Sequence, residues 1–302
     1  MKILVLGGSG FIGSHLIDNL KRKGYKVTSF DRTPKNISTN GVKQMKGDIM
    51  DVKLLEKAVK EHDGAINLVG RLGSAETIGS PHESVIVNTL GALNFFDAIK
   101  KYNKKGVTIT MGAWSWTNTY SITKYAAERF GIMYNLYQGT KIAVVRAMNV
   151  YGPGQHHAPV RKIVPNLILP ALRNEEIIIF GDGKQLIDVI YAEDNAEILA
   201  RALLSNHNSY DKIIEAGTGK PITVNYLAGL IIKLTKSKSK KRFVPMRNGE
   251  PFRSVTRANP RTLQPLGFKA KNFTPLERGL KKTIAWYRQH LEDFPPNPWT
   301  SQ

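Results

Sequence analysis

No cysteine occurs among the 302 residues, which excludes disulfides and thiolate-bound metals and leaves the redox compartment open. Long apolar runs are missing too. The opening "MKILVLGGSG" has only four consecutive apolar residues before its glycines, too few for a signal peptide or a membrane span. No other stretch is long enough to cross a bilayer, so a soluble, cytoplasmic protein without membrane partners is expected. Acidic residues are scarce, 24 against 44 lysines and arginines, giving a net charge of +20. Such an excess suits an anionic partner or a solvated lysine-rich surface. Lysines recur along the whole chain with one dense run, "KLTKSKSKKRF" (233–243), and no zinc-finger, RNP-type or basic-heptad pattern accompanies them. Nucleic acid is therefore not the expected partner. Internal repeats are absent as well. Hydrophobic content of 41% with 23% charged residues is ordinary for a globular chain, so disorder is not expected.

What is present alternates between two periods. "KILVLGG", "YKVTSFD", "GAINLVG", "KGVTITMG" and "KIAVVRAMNVYG" are short apolar runs suited to buried parallel strands. Between them, "GSHLIDNLKRKG", "DVKLLEKAVKEH", "PHESVIVNTLGALNFFDAIKKYN" and the stretch from Tyr120 follow helical spacing, the last with an apolar stripe of Ala126, Phe130, Met133 and Tyr137. The fold class is α/β, a doubly wound parallel sheet of Rossmann type. After about residue 158 prolines 159, 165 and 170 interrupt the pattern, and prolines 221, 245, 251, 260, 265 and 275 punctuate the short elements of the tail. The expected organisation is a dinucleotide-binding domain over 1–158, to which the chain returns at about 186–217. A smaller substrate lobe takes 159–185 and 218–302.

"LVLGGSGFIGSHL" places Gly8-x-Gly10-x-x-Gly13, and also Gly7-x-x-Gly10-x-x-Gly13, after a strand and at the start of a helix. Glycines there allow a tight turn and close backbone approach, while the helix N-terminus offers free N–H groups to a pyrophosphate. Asp31, at the end of the second strand, suits a carboxylate accepting from adenosine ribose hydroxyls and repelling a 2′-phosphate, which favours NAD. Arg32 beside it is the residue that would partner that phosphate instead. Asp48 in "GDIMD" either meets adenine or caps the helix that follows.

Within "YSITK", Tyr120 and Lys124 are four apart and share a helical face. An ammonium beside a phenol, with a cationic nicotinamide close by, stabilises phenolate and lowers its pKa. The tyrosine could then exchange a proton with a hydroxyl while hydride moves.

With these motifs in order, the chain resembles the extended short-chain dehydrogenases/reductases, in particular the NAD-dependent nucleotide-sugar epimerase/dehydratase family. The resemblance runs through "GGSGFIGSHL", "VNTLGALNFFDAIK", "YSITKYAAERF", "VVRAMNVYGPGQ", "IIIFGDGKQLIDVIYAEDNAEIL", "PMRNGE" and "LERGLKKTIAWYR", nearly the whole length. It implies tightly held NAD, a nucleotide-sugar substrate and homodimers built through two long helices, 88–101 and 120–137. By position it assigns Gly7, Gly10 and Gly13 to the pyrophosphate with Phe11 and Ile12 alongside, and Asp31 to the ribose. Asp48 and Ile49 go to adenine, and Leu68, Val69 and Gly70 to the cofactor groove. Tyr120 becomes the acid/base and Lys124 the holder of the nicotinamide ribose. Asn149 and Arg247 resemble residues that meet the substrate diphosphate.

Two departures matter. The family's serine or threonine before the tyrosine falls on Thr110 or Met111 in "TITMGAWSW", with Ser115 a further candidate near the substrate; Thr110 is the preferred one. Dehydrating relatives carry an acid pair after that residue and decarboxylating ones a glutamate, whereas this chain has Gly112 and Ala113. That favours epimerisation, expected at C4 of a UDP-sugar or similar. A sugar dehydrogenase or reductase and a catalytically silent nucleotide-binding protein are the alternatives. Where relatives have arginine before an aspartate, this chain has Ile187-Asp188, so either Arg161, Lys162, Arg253 or Arg257 compensates or the substrate is not a nucleotide sugar. Adjacent His156 and His157 cannot easily aim at one ion, and no metal site is expected. Trp114 and Trp116 either stack a base or sugar or serve packing.

Overall fold

Ile3–Leu6 are wholly buried and form most of strand β1 (Lys2–Leu6), the centre of a seven-stranded parallel sheet. The computed structural model describes residues 1–34 and 41–295. Around β1 run β2 (Lys26–Asp31), β3 (Lys43–Lys46), β4 (Gly64–Asn67), β5 (Lys105–Met111) and β6 (Lys141–Ala147). Next come three short strands, β7 (Asn149–Tyr151), β8 (Ile177–Phe180) and β9 (Leu186–Ile187), and then β10 (Val189–Tyr191), β11 (Ile213–Ala216), β12 (Ile222–Thr223) and β13 (Lys241–Val244). The main sheet has the order β11-β6-β5-β4-β1-β2-β3. The order reverses between β1 and β4, and a parallel sheet opens a crevice at such a point, beyond the carboxyl ends of its strands.

The helices are α1 (Phe11–Arg22), α2 (Val52–Lys60), the short α3 (Pro81–Ser84), α4 (Gly91–Lys101) and α5 (Thr119–Gln138), followed by α6 (Ile163–Arg173), α7 (Ala192–Leu204), α8 (Val224–Thr235) and α9 (Leu276–Gln289). One face of the sheet packs on α1 and α7 through Val5, Leu16, Leu20, Ile66, Val107, Ile109 and Leu199. The other packs on α2, α4 and α5 through Leu4, Leu6, Phe30, Leu55, Phe95, Phe96 and Ala127. A third apolar cluster, around Tyr151, Ile168, Tyr191, Leu227, Ile231 and Tyr287, lies beyond the sheet and joins α6, α8 and α9.

Local chemistry explains the boundaries. Gly24, with φ +81, stops α1, since only glycine adopts that conformation without strain. Asp51, not Asp48, caps α2 by accepting from Leu54 N at 3.1 Å. The single run "KIAVVRAMNVYG" is two strands. At Met148 the backbone N–H turns to Ala216 O, and from Asn149 onward the chain pairs with β10 in a separate sheet. Helical structure between Pro81 and Lys101 includes a π-helical turn at Val85–Leu90. Prolines 165 and 170 do not break α6: Pro165 occupies its first turn, where N–H groups have no intrahelical partner, and Pro170 sits in the interior. No described helix is long and apolar enough to cross a membrane.

The stripe on α5 faces outward rather than inward. Phe130 is 37% and Tyr137 80% exposed, with Ala126 and Met133 half-buried. Helical period assigns residues to one face; it does not say what that face meets.

Candidate active site

A cleft of about 920 Å³ opens along the carboxyl ends of β1, β2, β4 and β5 and continues to the third cluster. Its floor is the first glycine turn. Gly7 has φ +76, and its amide donates to Phe30 O at 2.8 Å. A Cβ on Gly13 would lie 2.4 Å from Gly7 O and 2.6 Å from Gly8 O, so any side chain there collides with fixed backbone. Gly10 begins α1 without a side-chain cap, and no acidic residue occupies its first turn. The free N–H groups and the positive end of the helix dipole therefore face the cleft without an acidic side chain from the helix itself.

Every residue assigned to the cofactor lines this cleft: Gly7, Gly10, Phe11, Ile12, Gly13, Asp31, Arg32, Asp48, Ile49, Leu68, Val69, Gly70, Tyr120 and Lys124. Asp31 is oriented by Ser9 N at 3.2 Å and Thr33 N at 3.1 Å. Arg32 leans to Asp48 at 4.0 Å. Asp48 accepts from Met50 N at 2.9 Å, so its carboxylate closes a local turn. Asn88, in the π-helical turn, accepts from Arg71 N at 2.7 Å and donates to Thr123 Oγ1 at 3.0 Å. It thereby fastens the loop after β4 to α5 beside Lys124.

Asn118 caps α5, accepting from Ser121 N at 2.9 Å, and donates its amide to Gly249 O at 2.8 Å. The helix carrying Tyr120 and Lys124 is thus joined at its start to the turn that follows Arg247. Lys124 is 4% exposed, its ammonium meets no hydrogen-bonding or ionic partner among the described residues, and burial draws its pKa down to about 8. Burial also pushes the half-buried Tyr120 phenol up to about 12. In the protein alone, desolvation sets the phenol's pKa, opposite in direction to the acidification expected from the sequence. Lowering it needs added positive charge in the cleft. An unpaired buried lysine, a bare helix terminus and a ribose-height carboxylate together fit a dinucleotide.

Towards the third cluster the wall is charged. Arg247 pairs with Glu76 at 2.7 Å and Glu250 at 2.9 Å. Arg161 and Lys162 line the same region, and the Arg161 guanidinium lies 4.7 Å from the Phe180 ring. Arg253 is bound to Asp182 and Arg257 to Gly219 O, and neither lines the cleft. Asn149 lines it and donates to Asp188 O and Thr256 Oγ1, both at 3.2 Å. Asp188 itself accepts from Thr218, Gly219 and Ala258 and is wholly buried, a structural anchor.

Thr110 lines the cleft, yet its hydroxyl donates to Glu128 Oε2 at 3.0 Å. Ser115 is exposed and lies off the cleft wall, because Trp114 beside it is held outward, stacked on Tyr125 with ring centroids 5.4 Å apart. Trp116 does line the cleft. His157 is buried edge-on to Phe294, and among the described residues no three histidine or carboxylate side chains converge as a metal ion would need. Sequence reading missed Glu76, Asn118, Glu128 and Glu250. Only Glu128 left a signal, since it continues the Tyr120–Lys124 spacing by four.

The characteristic sequence pattern of the NAD dependent epimerase/dehydratase family matches residues 3–116 and 108–217, more than half of the chain. The chain belongs to this family. A putative UDP-glucose 4-epimerase of Methanocaldococcus jannaschii is 28% identical, over 95% of this chain and 99% of its own length. A UDP-N-acetyl-alpha-D-glucosaminuronate decarboxylase of Bacillus cytotoxicus is 29% identical, over 97% and 99%. Among solved structures, the UDP-glucose 4-epimerase of Thermotoga maritima with UDP-glucose superposes with a TM-score of 0.88 at 28% identity, covering 96% of this chain and all of that one. Family membership makes NAD the cofactor, and the members are enzymes that include epimerases, decarboxylases and dehydratases.

Proposed function

We propose that the protein is an NAD-dependent epimerase that inverts C4 of a UDP-sugar by transient oxidation. The observation that carries this reading is the cleft wall before Tyr120. Thr110, Met111 and Gly112 line it, and no carboxylate stands among them. The carboxylates that do line the cleft are engaged elsewhere. Asp31 and Asp48 lie in the cofactor half, Glu83 pairs with Arg71 at 2.7 Å and Glu250 with Arg247. Dehydration and decarboxylation call for an acid beside the sugar ring. Epimerisation needs one proton shuttle and room for the keto-sugar to turn. The putative UDP-glucose 4-epimerase of Methanocaldococcus jannaschii and the UDP-glucose 4-epimerase of Thermotoga maritima, each similar over nearly the whole chain, support the same reading.

In this mechanism the glycine turn and the α1 N-terminus hold the pyrophosphate, Asp31 the adenosine ribose and Lys124 the nicotinamide ribose. When bound, NAD would supply the hydride-acceptor and hydride-donor chemistry at the sugar carbon. Tyr120 Oη takes the hydroxyl proton as the hydride leaves and gives it back on return. Asn149 and Arg247 hold the diphosphate, with Arg161 and Lys162 replacing the arginine absent at Ile187. The division into a cofactor domain and a substrate lobe follows the same split, although Tyr151, Val189 and Tyr191 contribute their side chains to the lobe's cluster.

The test is to denature the purified protein, identify released NAD by mass spectrometry, and incubate the native protein with UDP-, GDP- and dTDP-sugars. Release of NAD and a C4-inverted UDP-sugar without net NADH supports the reading. Accumulating NADH would instead identify a dehydrogenase, and no turnover of any sugar would contradict the proposal. Lys162 lines the cleft beside Arg161, so Lys162→Met is expected to raise KM for the UDP-sugar about tenfold with kcat little changed, as loss of uniform binding does. Steady-state kinetics checks it.

A homodimer is part of the proposal. Val85 and Leu90 are each 43% exposed on the π-helical turn that packs against α5, where Ile122 is 56% and Tyr137 80% exposed, and these apolar side chains on neighbouring elements suit a second copy of the chain. Light scattering should give twice the 33.7 kDa chain mass, and the Ile122→Glu/Tyr137→Glu variant should elute as monomer.

A further inference from the structure

Thr110 on β5 and Arg146 on β6 are direct partners across the two strands, and both side chains reach the same residue of α5. Glu128 Oε2 accepts from Thr110 Oγ1 at 3.0 Å and from Arg146 Nε at 3.1 Å, while Oε1 accepts from Arg146 Nη2 at 2.5 Å. The remaining Nη1 reaches Glu215 Oε1 on β11 at 2.9 Å. Glu128 is 1% and Arg146 8% exposed, and the Trp114 ring covers the guanidinium from 4.9 Å. One two-pronged contact therefore ties a single turn of α5 to two neighbouring strands, and Arg146 links the second of these to β11.

A buried ion pair is a poor source of stability, because desolvation of both charges consumes most of the attraction; apolar side chains would hold the helix as firmly. Apolar packing tolerates small slides, however, whereas a guanidinium fork on a carboxylate fixes both distance and direction. Glu128 is one helical turn from Lys124 and two from Tyr120, on the same face. A slide of α5 would carry all three together.

We infer that Thr110, Glu128 and Arg146 form a positioning tether that sets the depth at which α5 presents Tyr120 and Lys124 to the cofactor. On this assignment Thr110 is a positioning residue, its proton committed to Glu128 rather than to the reacting oxygen. The kinetic arm of the inference rests on the epimerase reading above; the cofactor-binding arm does not.

Four variants decide it: Thr110→Val, Thr110→Ser, Glu128→Gln and the double variant Thr110→Val/Glu128→Gln. Each is measured for kcat, for KM, and for the dissociation constant of NAD without sugar. Thr110→Val removes only a hydroxyl at constant volume, so it folds even if changes at Glu128 do not. The tether predicts about tenfold losses in kcat and in NAD affinity for Thr110→Val and for Glu128→Gln, with KM for the sugar unaltered. It also predicts that the double variant is no worse than Glu128→Gln, because the two residues act as one unit, and that Thr110→Ser restores the wild-type values. Should no UDP-sugar turn over, the epimerase reading fails while the NAD measurement still tests the tether. The inference is overturned if Thr110→Val lowers kcat by about 10²–10³-fold with NAD affinity intact, the signature of a lost donor to the reacting oxygen. It is equally overturned if the variants melt earlier but keep wild-type kcat and NAD affinity.

Discussion

Replacing Tyr120 by phenylalanine is expected to lower kcat by about 10²–10⁴-fold, the range for removing a positioned general acid–base, while NAD stays bound. The ring remains, so the cleft keeps its shape and the change deletes one oxygen. No other described side chain is placed to take over. The Thr110 hydroxyl donates its hydrogen bond to Glu128, Ser115 lies off the cleft, and Met111, Gly112 and Ala113 carry no ionisable group. Burial holds the phenol at about 12 in the protein alone, so at neutral pH it is protonated until cofactor and substrate add their charges. The measurement is single-turnover epimerisation beside mass-spectrometric NAD occupancy. Activity within threefold of wild type would remove Tyr120 from the mechanism.

Replacing Lys124 by methionine is expected to act in two opposite directions. Burial lowers the lysine from 10.5 to about 8, so at pH 7 the folded, cofactor-free protein carries a charged group that it holds less well than the unfolded chain does. The penalty is roughly 3 kcal/mol. It is fully present below pH 8 and fades between about 8 and 10.5, where the folded lysine has lost its proton and the unfolded one has not. Wild-type protein stripped of NAD should therefore gain stability as pH rises through this window. The methionine variant should melt several degrees higher at pH 7, with most of the difference gone at pH 10. It should also lose most of its NAD affinity and turnover, as residues kept for function at the expense of stability do. Calorimetry at pH 7 and 10 checks the first part, and NAD titration the second. A variant that melts lower at pH 7 would show that the ammonium is satisfied within the protein.

The local half of this site was legible in the sequence. Glycines at 7, 10 and 13, a carboxylate ending the second strand, and a tyrosine and lysine one turn apart each state their geometry through short-range backbone rules. What escaped depends on pairs far apart in the chain. Glu76 and Arg247 are separated by 171 positions, and Thr110 meets its acceptor 18 residues on. Sequence spacing put Thr110 at the cleft but could not say which way its hydroxyl points. Asn118 was invisible for the same reason: as a helix cap it is a local feature, while its bond to Gly249 is tertiary. The break at Met148 was hidden because an apolar run reads alike whether one sheet or two receive its backbone.

The central claim is that hydride leaves a sugar carbon and returns to it while Tyr120 moves the proton. UDP-glucose deuterated at C4, incubated with the protein in ordinary water, tests this most directly. The account predicts UDP-galactose that retains its deuterium at C4, because a hydride held within the cleft does not exchange with solvent. Product carrying hydrogen at C4 would mean proton abstraction into water and would contradict it.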